Sequence, residues 1–362
     1  MYFEELKNCI DCKEITMHYR ELLLFLFKKL EHERSVNAVF HLLKGKKSAQ
    51  TLQDAYLFQI ENFYGIDRKL KKTTFNNHVK DLIENHYIQV ANDQALLTEQ
   101  GDQYLSGKRL QSYYQMKGHK YHQIDREFKQ GLFLLIQTVS MLIHEENKFI
   151  PIVDQSYIQA KVRELLRDYS MQFDTIAEQL YGELHTVLST IDDCLATVLL
   201  KQCSGYDRVG MSEQQIADEE NVYKEDLHLQ SIAAIHNILE TITEHPEQYS
   251  LLTRLIWKKT NRLTASAQET FDLYQAGHTL DEIASLRQLK VSTIQDHFVE
   301  IATHKKNFNI YSFISEQVLD QIQEAIQNTS TRKLKPIKER LHEEIDYFHI
   351  RLAIANMNDE KE

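Results

Sequence analysis

Only three prolines and ten glycines interrupt a chain of 362 residues. Proline breaks helices and glycine weakens them. A chain so poor in both, and rich in Leu, Ile, Gln, Glu and Lys, is expected to form long helices with few sharp turns. The expected fold is mainly α: an N-terminal winged-helix-like unit with one short β-hairpin, a helical middle, and a C-terminal helix-turn-helix domain. The length allows two or three domains with cores of their own.

Residues 1–30 read as a helical lead-in. "RSVNAVFHLLKG" is an amphipathic helix ended by Gly45, and "SAQTLQDAYLFQIENF" is a second, with Ser48 or Thr51 as N-cap. In "KKTTFNNHVKDLIENHYI" the apolar Phe75, Val79, Leu82 and Ile83 are expected on one face of a third helix. Alternating residues around Asn92-Asp93 then predict a hairpin. Three helices followed by a hairpin is the order of a winged helix. Its third helix offers Lys71, Lys72, Thr74, Asn76, Asn77 and Lys80 as candidate phosphate and base contacts. The same shape also serves packing or protein contact. This domain is expected over 1–105, a helical middle over 106–205, an acidic linker or helical segment over 206–250, and a last domain over 251–362.

The last domain opens with "AQETFDLYQA", capped by Thr264 or Ser266 and ended by Gly277. Thr279 and Glu282 form a capping box for a second helix, and Ser292 with Gln295 is expected to form another for a third. Ile294, Phe298 and Ile301 make the apolar stripe of that third helix. Thr293, Gln295, Asp296 and His297 are expected to face outward, with Arg287 and Lys290 in the turn and Lys305 and Lys306 at the far end. The candidate DNA contacts here are Arg287, Lys290, Ser292, Thr293, Gln295, His297, Lys305 and Lys306. The other reading is a helical hairpin that packs on the middle block.

Charge is unevenly spread. The net charge of -11 argues against indiscriminate binding along nucleic acid. Nine carboxylates face Lys224 alone between Val209 and Gln248, whereas from Leu251 to Ile310 eight Lys or Arg outnumber six acids. No apolar run is long enough to span a bilayer, and "MYFEELKNC" carries acids where a secretory signal carries bases. With four cysteines in a long chain, a reducing, cytoplasmic and nucleoid-associated location is expected.

Catalytic patterns are missing. "FHLLKGKKS" lacks both the first glycine and the Ser/Thr of a phosphate loop, and neither "HEEID" nor "HEENK" has the second histidine of a zinc-protease helix. "CIDC" (Cys9 and Cys12) lacks two further ligands at similar spacing, and His119 with His122 suits a solvated loop or helix face. A non-enzyme with no cofactor and no metal is expected.

The stretch "TASAQETFDLYQAGHTLDEIASLRQLKVSTIQDHF" through "LKPIKERLHEEIDYFHIRLAIA" resembles the helix-turn-helix domain at the C-terminus of many RecQ-type DNA helicases. In its tail Pro336 can open a helix, and Tyr347, Ile350 and Leu352 are expected to pack it back. The whole arrangement is similar to the bacterial YpbB family, which lacks helicase motors. That resemblance implies a helper that supplies DNA-binding or docking domains in trans to a RecQ-type helicase, acting on duplex, forked or single-stranded-junction DNA in repair or recombination. The motifs also permit a transcription regulator or a protein-only scaffold.

Overall fold

Leu43, Leu82 and Phe75 in the first hundred residues, and Ile294, Phe298 and Leu352 in the last hundred, are all wholly or almost wholly buried. Their burial follows from how the chain is partitioned. The computed structural model describes residues 17–30, 32–108, 113, 115–168, 173–257, 263–305, 308–329 and 334–359. It divides into two compact units: residues 1–25 with 103–260, and residues 26–102 with 261–362. The two helix-turn-helix-like segments, far apart in sequence, therefore share one unit, a partition different from the four segments expected.

The first stretch holds α1 (Tyr19–Lys29), α2 (Val36–Leu43), α3 (Ala49–Leu57), α4 (Lys72–Glu84), strands β1 (Ile88–Ala91) and β2 (Gln94–Leu97), and α5 (Glu99–Ser106). Ser48 caps α3 by accepting the Thr51 N–H. Gly45 ends α2 at φ 64°, and a Cβ there would come within 2.9 Å of the Gly65 Cα, so glycine is required twice over. The strands pair antiparallel with Ile88 opposite Leu97. Asn92 and Asp93, both at positive φ, form the two-residue turn.

The unit of residues 1–25 and 103–260, the more acidic of the two, is built from helices joined by turns and loops: α6 (Asp125–Ile143), α7 (Ser156–Asp168), α8 (Phe173–Leu188), α9 (Asp193–Lys201), α10 (Glu213–Glu220) and α11 (Lys224–Glu244). The run 175–200 does not make one long helix. It breaks after Leu188 because Asp192 turns to cap α9, accepting the Cys194 N–H at 2.9 Å. Residues 206–250 are no simple linker. They supply the 21-residue α11, buried on several faces. Inside it the fully buried His236 accepts the Lys117 N–H at Nδ1 (2.9 Å), which leaves Nε2–H directed at Asp125 (3.4 Å).

Glu183 of α8 is a cap supplied from a distance. Its carboxylate accepts the Leu251 and Leu252 N–H groups at 2.9–3.2 Å, satisfying the start of the short turn 250–253. Glu183→Ala is expected to lower stability by about 2 kcal/mol, because buried donors lose a charged acceptor. Urea unfolding followed by the single tryptophan, Trp257, checks this. Its ring lies so close to Gly131 that a Cβ there would come within 2.5 Å of it. A midpoint equal to wild type would contradict the expectation.

The last stretch holds α12 (Ala265–Gln275), α13 (Leu280–Leu286), α14 (Val291–His304), α15 (Glu316–Gln327) and α16 (Tyr347–Asp359). Thr264 caps α12, Gly277 follows it at φ 93°, and the Thr279/Glu282 capping box opens α13. The second box is absent. α14 begins two residues earlier than expected, at Val291 with Lys290 as N-cap, which places Ser292 inside the helix. α14 is the hub of this unit and packs on α12, α13, α16 and α3. Phe298 sits among Tyr274, Phe308 and Phe313 with ring centroids 4.7–6.3 Å apart, and Leu57 of α3 packs against the same core. Ile350 and Leu352 are buried as expected, whereas Tyr347 is exposed and Phe348 takes the inward place.

Cys203 is a buried free thiol. Cys194 is disulfide-bonded, and Cys9 and Cys12 of the C-x-x-C pair lie outside the described residues.

Candidate nucleic-acid interface

Two third helices compete for the role of reading element, α4 and α14. A helix that enters a groove must present a free polar face. α14 does not. From Thr293 to His304 none of its residues is exposed. Its polar side chains are engaged by neighbouring elements. Asp296 pairs with Arg351 of α16 at 2.5 Å, and Glu300 accepts the Thr264 N–H and hydroxyl at the start of α12. The Tyr56 hydroxyl of α3 meets His304 at 3.5 Å.

His297, expected to face out, is 9% exposed, with Nδ1 2.8 Å from the Thr270 hydroxyl. Burial, with Arg287 next to it, holds its imidazole below the ordinary pKa. Arg287 does not project from the turn either, its side chain being 8% exposed. The guanidinium donates to the Ser266 carbonyl (2.7 Å) and hydroxyl (3.0 Å) and to Thr270, and pairs with Glu269. Both side chains turn inward because α12 supplies acceptors that solvent would otherwise have to replace.

What α14 leaves accessible is its first turn. Lys290 and Ser292 are exposed, and Thr293 and Gln295 are half-buried. At the other end the Lys305 ammonium lies 4.4 Å from the Phe271 ring centre, and Lys306 falls outside the described residues. A cavity of about 320 Å³ lies along the helix, lined by Lys47, Gln53, Thr293, Asp296, Glu300 and Arg351 among others.

α4 is the opposite case. Phe75, His78, Val79 and Leu82 hold it to its unit, while Lys71, Lys72, Asn76, Asn77 and Lys80 are exposed and Thr74 is half-buried. Ile83, expected on the inner face, is instead 41% exposed, because the chain turns away toward β1. Lys80 pairs loosely with Glu84 at 3.4 Å. Lys72 is more occupied. Its ammonium lies 4.6 and 4.7 Å from the Phe40 and Phe75 ring centres and donates to Asn37, and its partial burial lowers its pKa.

The hairpin does not project as a separate arm. The Asp93 carbonyl accepts the Val36 N–H at 2.7 Å, which pins the turn to the start of α2. Contact with a groove on this face would therefore rest on α4.

The sequence reading missed the cations around this helix. Residues 28–80 hold eleven Lys or Arg against five acids, in a chain whose net charge is -11. Lys46, Lys47, Arg68 and Lys69 are exposed in addition to the residues of α4. Burial, then Lys46 and Lys72, depress the pKa of His41, which places both ammonium groups near one ring. Counting charge in windows that followed the expected helices, rather than over the whole unit, would have shown the surplus.

Among the described residues no group of three or more His, Cys, Asp or Glu could hold a metal ion, and no helix is long and apolar enough to cross a membrane.

Residues 266–354 match a family described as a helix-turn-helix domain. The chain is also similar to the protein YpbB of Bacillus subtilis (strain 168), with 29% identity over 351 residues, covering 94% of this chain and 98% of that protein. No solved structure matches it. The resemblance to YpbB thus runs along nearly the whole sequence, and the helix-turn-helix domain points to a DNA-binding protein.

Proposed function

We propose that this chain is a non-catalytic accessory protein that binds DNA and assists a RecQ-type helicase in repair or recombination, supplying DNA-binding and docking domains in trans. The observation that carries the DNA-binding part is the exposed face of α4, with Lys71, Asn76, Asn77 and Lys80, set in the cation-rich part of an acidic chain. Asparagine can bond an adenine edge bidentately, and lysines neutralise phosphate and release counterions. The first turn of α14, with Lys290, Ser292 and Gln295, is the second and smaller contact. The helicase partnership rests on the likeness to the YpbB family and to the C-terminal domain of such helicases. The nucleoid would be its place of action.

Fluorescence anisotropy with duplex, single-stranded and forked DNA across a salt series tests this. Wild type is expected to prefer forks or junctions and to weaken steeply with salt. Replacing Asn76, Asn77 and Lys80 together by Ala is expected to lower affinity about 30-fold, on the order of 2 kcal/mol. Lys290→Ala with Gln295→Ala is expected to change it only a few-fold. Unchanged binding by the α4 variant would remove α4 from the interface. A dimer with high affinity for one palindromic duplex would favour a transcription regulator, and absence of binding to any DNA a protein-only scaffold.

A further inference from the structure

The acidic unit carries two loops that end in solvent-exposed apolar side chains yet are held rigidly. Ile150 is 89% exposed and Val209 87%, with Ile152 at 41% and Tyr206 at 50% beside them. Single exposed apolar residues on mobile loops need no explanation. These loops are fastened to one helix. The buried amide of Gln137 on α6 donates to the Ile150 carbonyl (3.1 Å) and accepts the Ile152 N–H (2.9 Å), as a neighbouring strand would. The backbone at both isoleucines is thereby fixed to α6 by one side chain. One turn further along α6, the Ser140 hydroxyl accepts the Tyr206 N–H at 3.0 Å, and the Tyr206 ring stacks on His144 with centroids 4.3 Å apart.

The second loop is braced internally as well. The Gly205 N–H donates to the Arg208 carbonyl and the Gly210 N–H to the Ser204 hydroxyl, both at 2.9 Å. Arg208 spends its guanidinium on the Leu200 and Lys201 carbonyls. A Cβ on Gly205 would reach 2.8 Å from the Ser140 hydroxyl, and one on Gly210 would reach 2.1 Å from the Gln202 carbonyl. Both loops are thus ordered before anything binds, and a rigid apolar anchor loses little entropy on docking.

Charge indicates the kind of partner. Glu145, Glu146, Asp154 and Asp207 are exposed along the two loops, and Lys148 is their exposed cation. Over the whole unit, 27 acids face 19 Lys or Arg. Such a rim repels nucleic acid and a second acidic copy of itself, and attracts a basic surface.

We propose that the Ile150–Ile152 and Tyr206–Val209 loops form a preorganised docking platform for a second protein whose contact surface is basic and holds apolar pockets, the surface expected of an enzyme that works on nucleic acid. Identifying that protein as the helicase rests on the function proposed above. DNA and the partner then occupy different units of the chain, so one does not compete with the other for the same side chains.

The test uses the full chain and the purified RecQ-type helicase from the same genome, with affinity read by interferometry or calorimetry at physiological ionic strength. Ile150→Ser with Val209→Ser is expected to weaken helicase binding at least ten-fold, with melting temperature and DNA affinity unchanged, since both side chains are almost wholly in solvent. Glu145→Lys with Asp207→Lys is expected to weaken it as well and to flatten its salt dependence. Undiminished helicase binding by the Ser variant would overturn the platform and leave the accessory role standing. No binding of the helicase by wild type would overturn both. Wild-type self-association that the Ser variant abolishes, without loss of helicase binding, would assign the surface to a second copy and overturn the partner proposed here.

Discussion

Truncating Phe298 to alanine is expected to destabilise the unit formed by residues 26–102 and 261–362 by about 3–5 kcal/mol. The ring is fully buried and contacts Tyr274 edge-on at 5.2 Å and Phe313 at 4.7 Å. Phe308 and Phe348 extend the same cluster through Phe313. Its loss removes transfer free energy and leaves a cavity that rigid helices cannot fill, and the aromatic pairs add to the cost. Hydrogen exchange over peptides spanning 265–304, with urea unfolding followed by circular dichroism, checks the expectation. Protection should fall across α12 and α14 together, because α14 is the hub on which α12, α13 and α16 all pack. A cost below about 1 kcal/mol would mean the cluster is looser than these distances imply.

Arg287→Ala separates two readings of the same residue. On sequence alone it belongs to a DNA-contacting turn, so its loss should weaken DNA binding and leave the fold unchanged. The structure places its guanidinium on Ser266 and Thr270 with little exposure, so its loss should instead cost about 2–3 kcal/mol of stability. The Glu269 pair adds little to that figure, since Glu269 is two-thirds exposed and screened by solvent. Arg287→Lys is expected to recover only part, because an ammonium cannot serve both Ser266 and Thr270 in the geometry of a planar fork. The measurements are the urea midpoint and the DNA affinity of the folded fraction. A stable variant with weakened DNA affinity would restore the sequence-based role.

Several elements were legible because their signals are local. The Thr279/Glu282 capping box, the Thr264 cap and Gly277 located α12 and α13, and Asn92-Asp93 located the hairpin. Each depends on a few neighbouring residues and a fixed backbone geometry. The Ser292/Gln295 box failed for a related reason. Lys290 is already extended and begins the helix, so Ser292 is carried inside it. Local pattern alone could not choose between two starts two residues apart.

Long-range partners were not legible. Whether His297 faces solvent depends on Thr270, 27 residues away, and whether Asp296 is free depends on Arg351, 55 residues away. The pairing of α3 with α14 joins parts of the chain about 240 residues apart, and no periodicity within either helix records it.

The sequence by itself determined the helical character, the positions of the main helices, the one hairpin and the presence of a C-terminal helix-turn-helix, since these follow from scarce proline and glycine, apolar spacing and caps. Only the tertiary structure decided which of the two third helices keeps an open polar face. Packing on four sides engaged the polar groups of α14 beyond its first turn, whereas α4 buries one apolar stripe and leaves its lysines and asparagines to solvent.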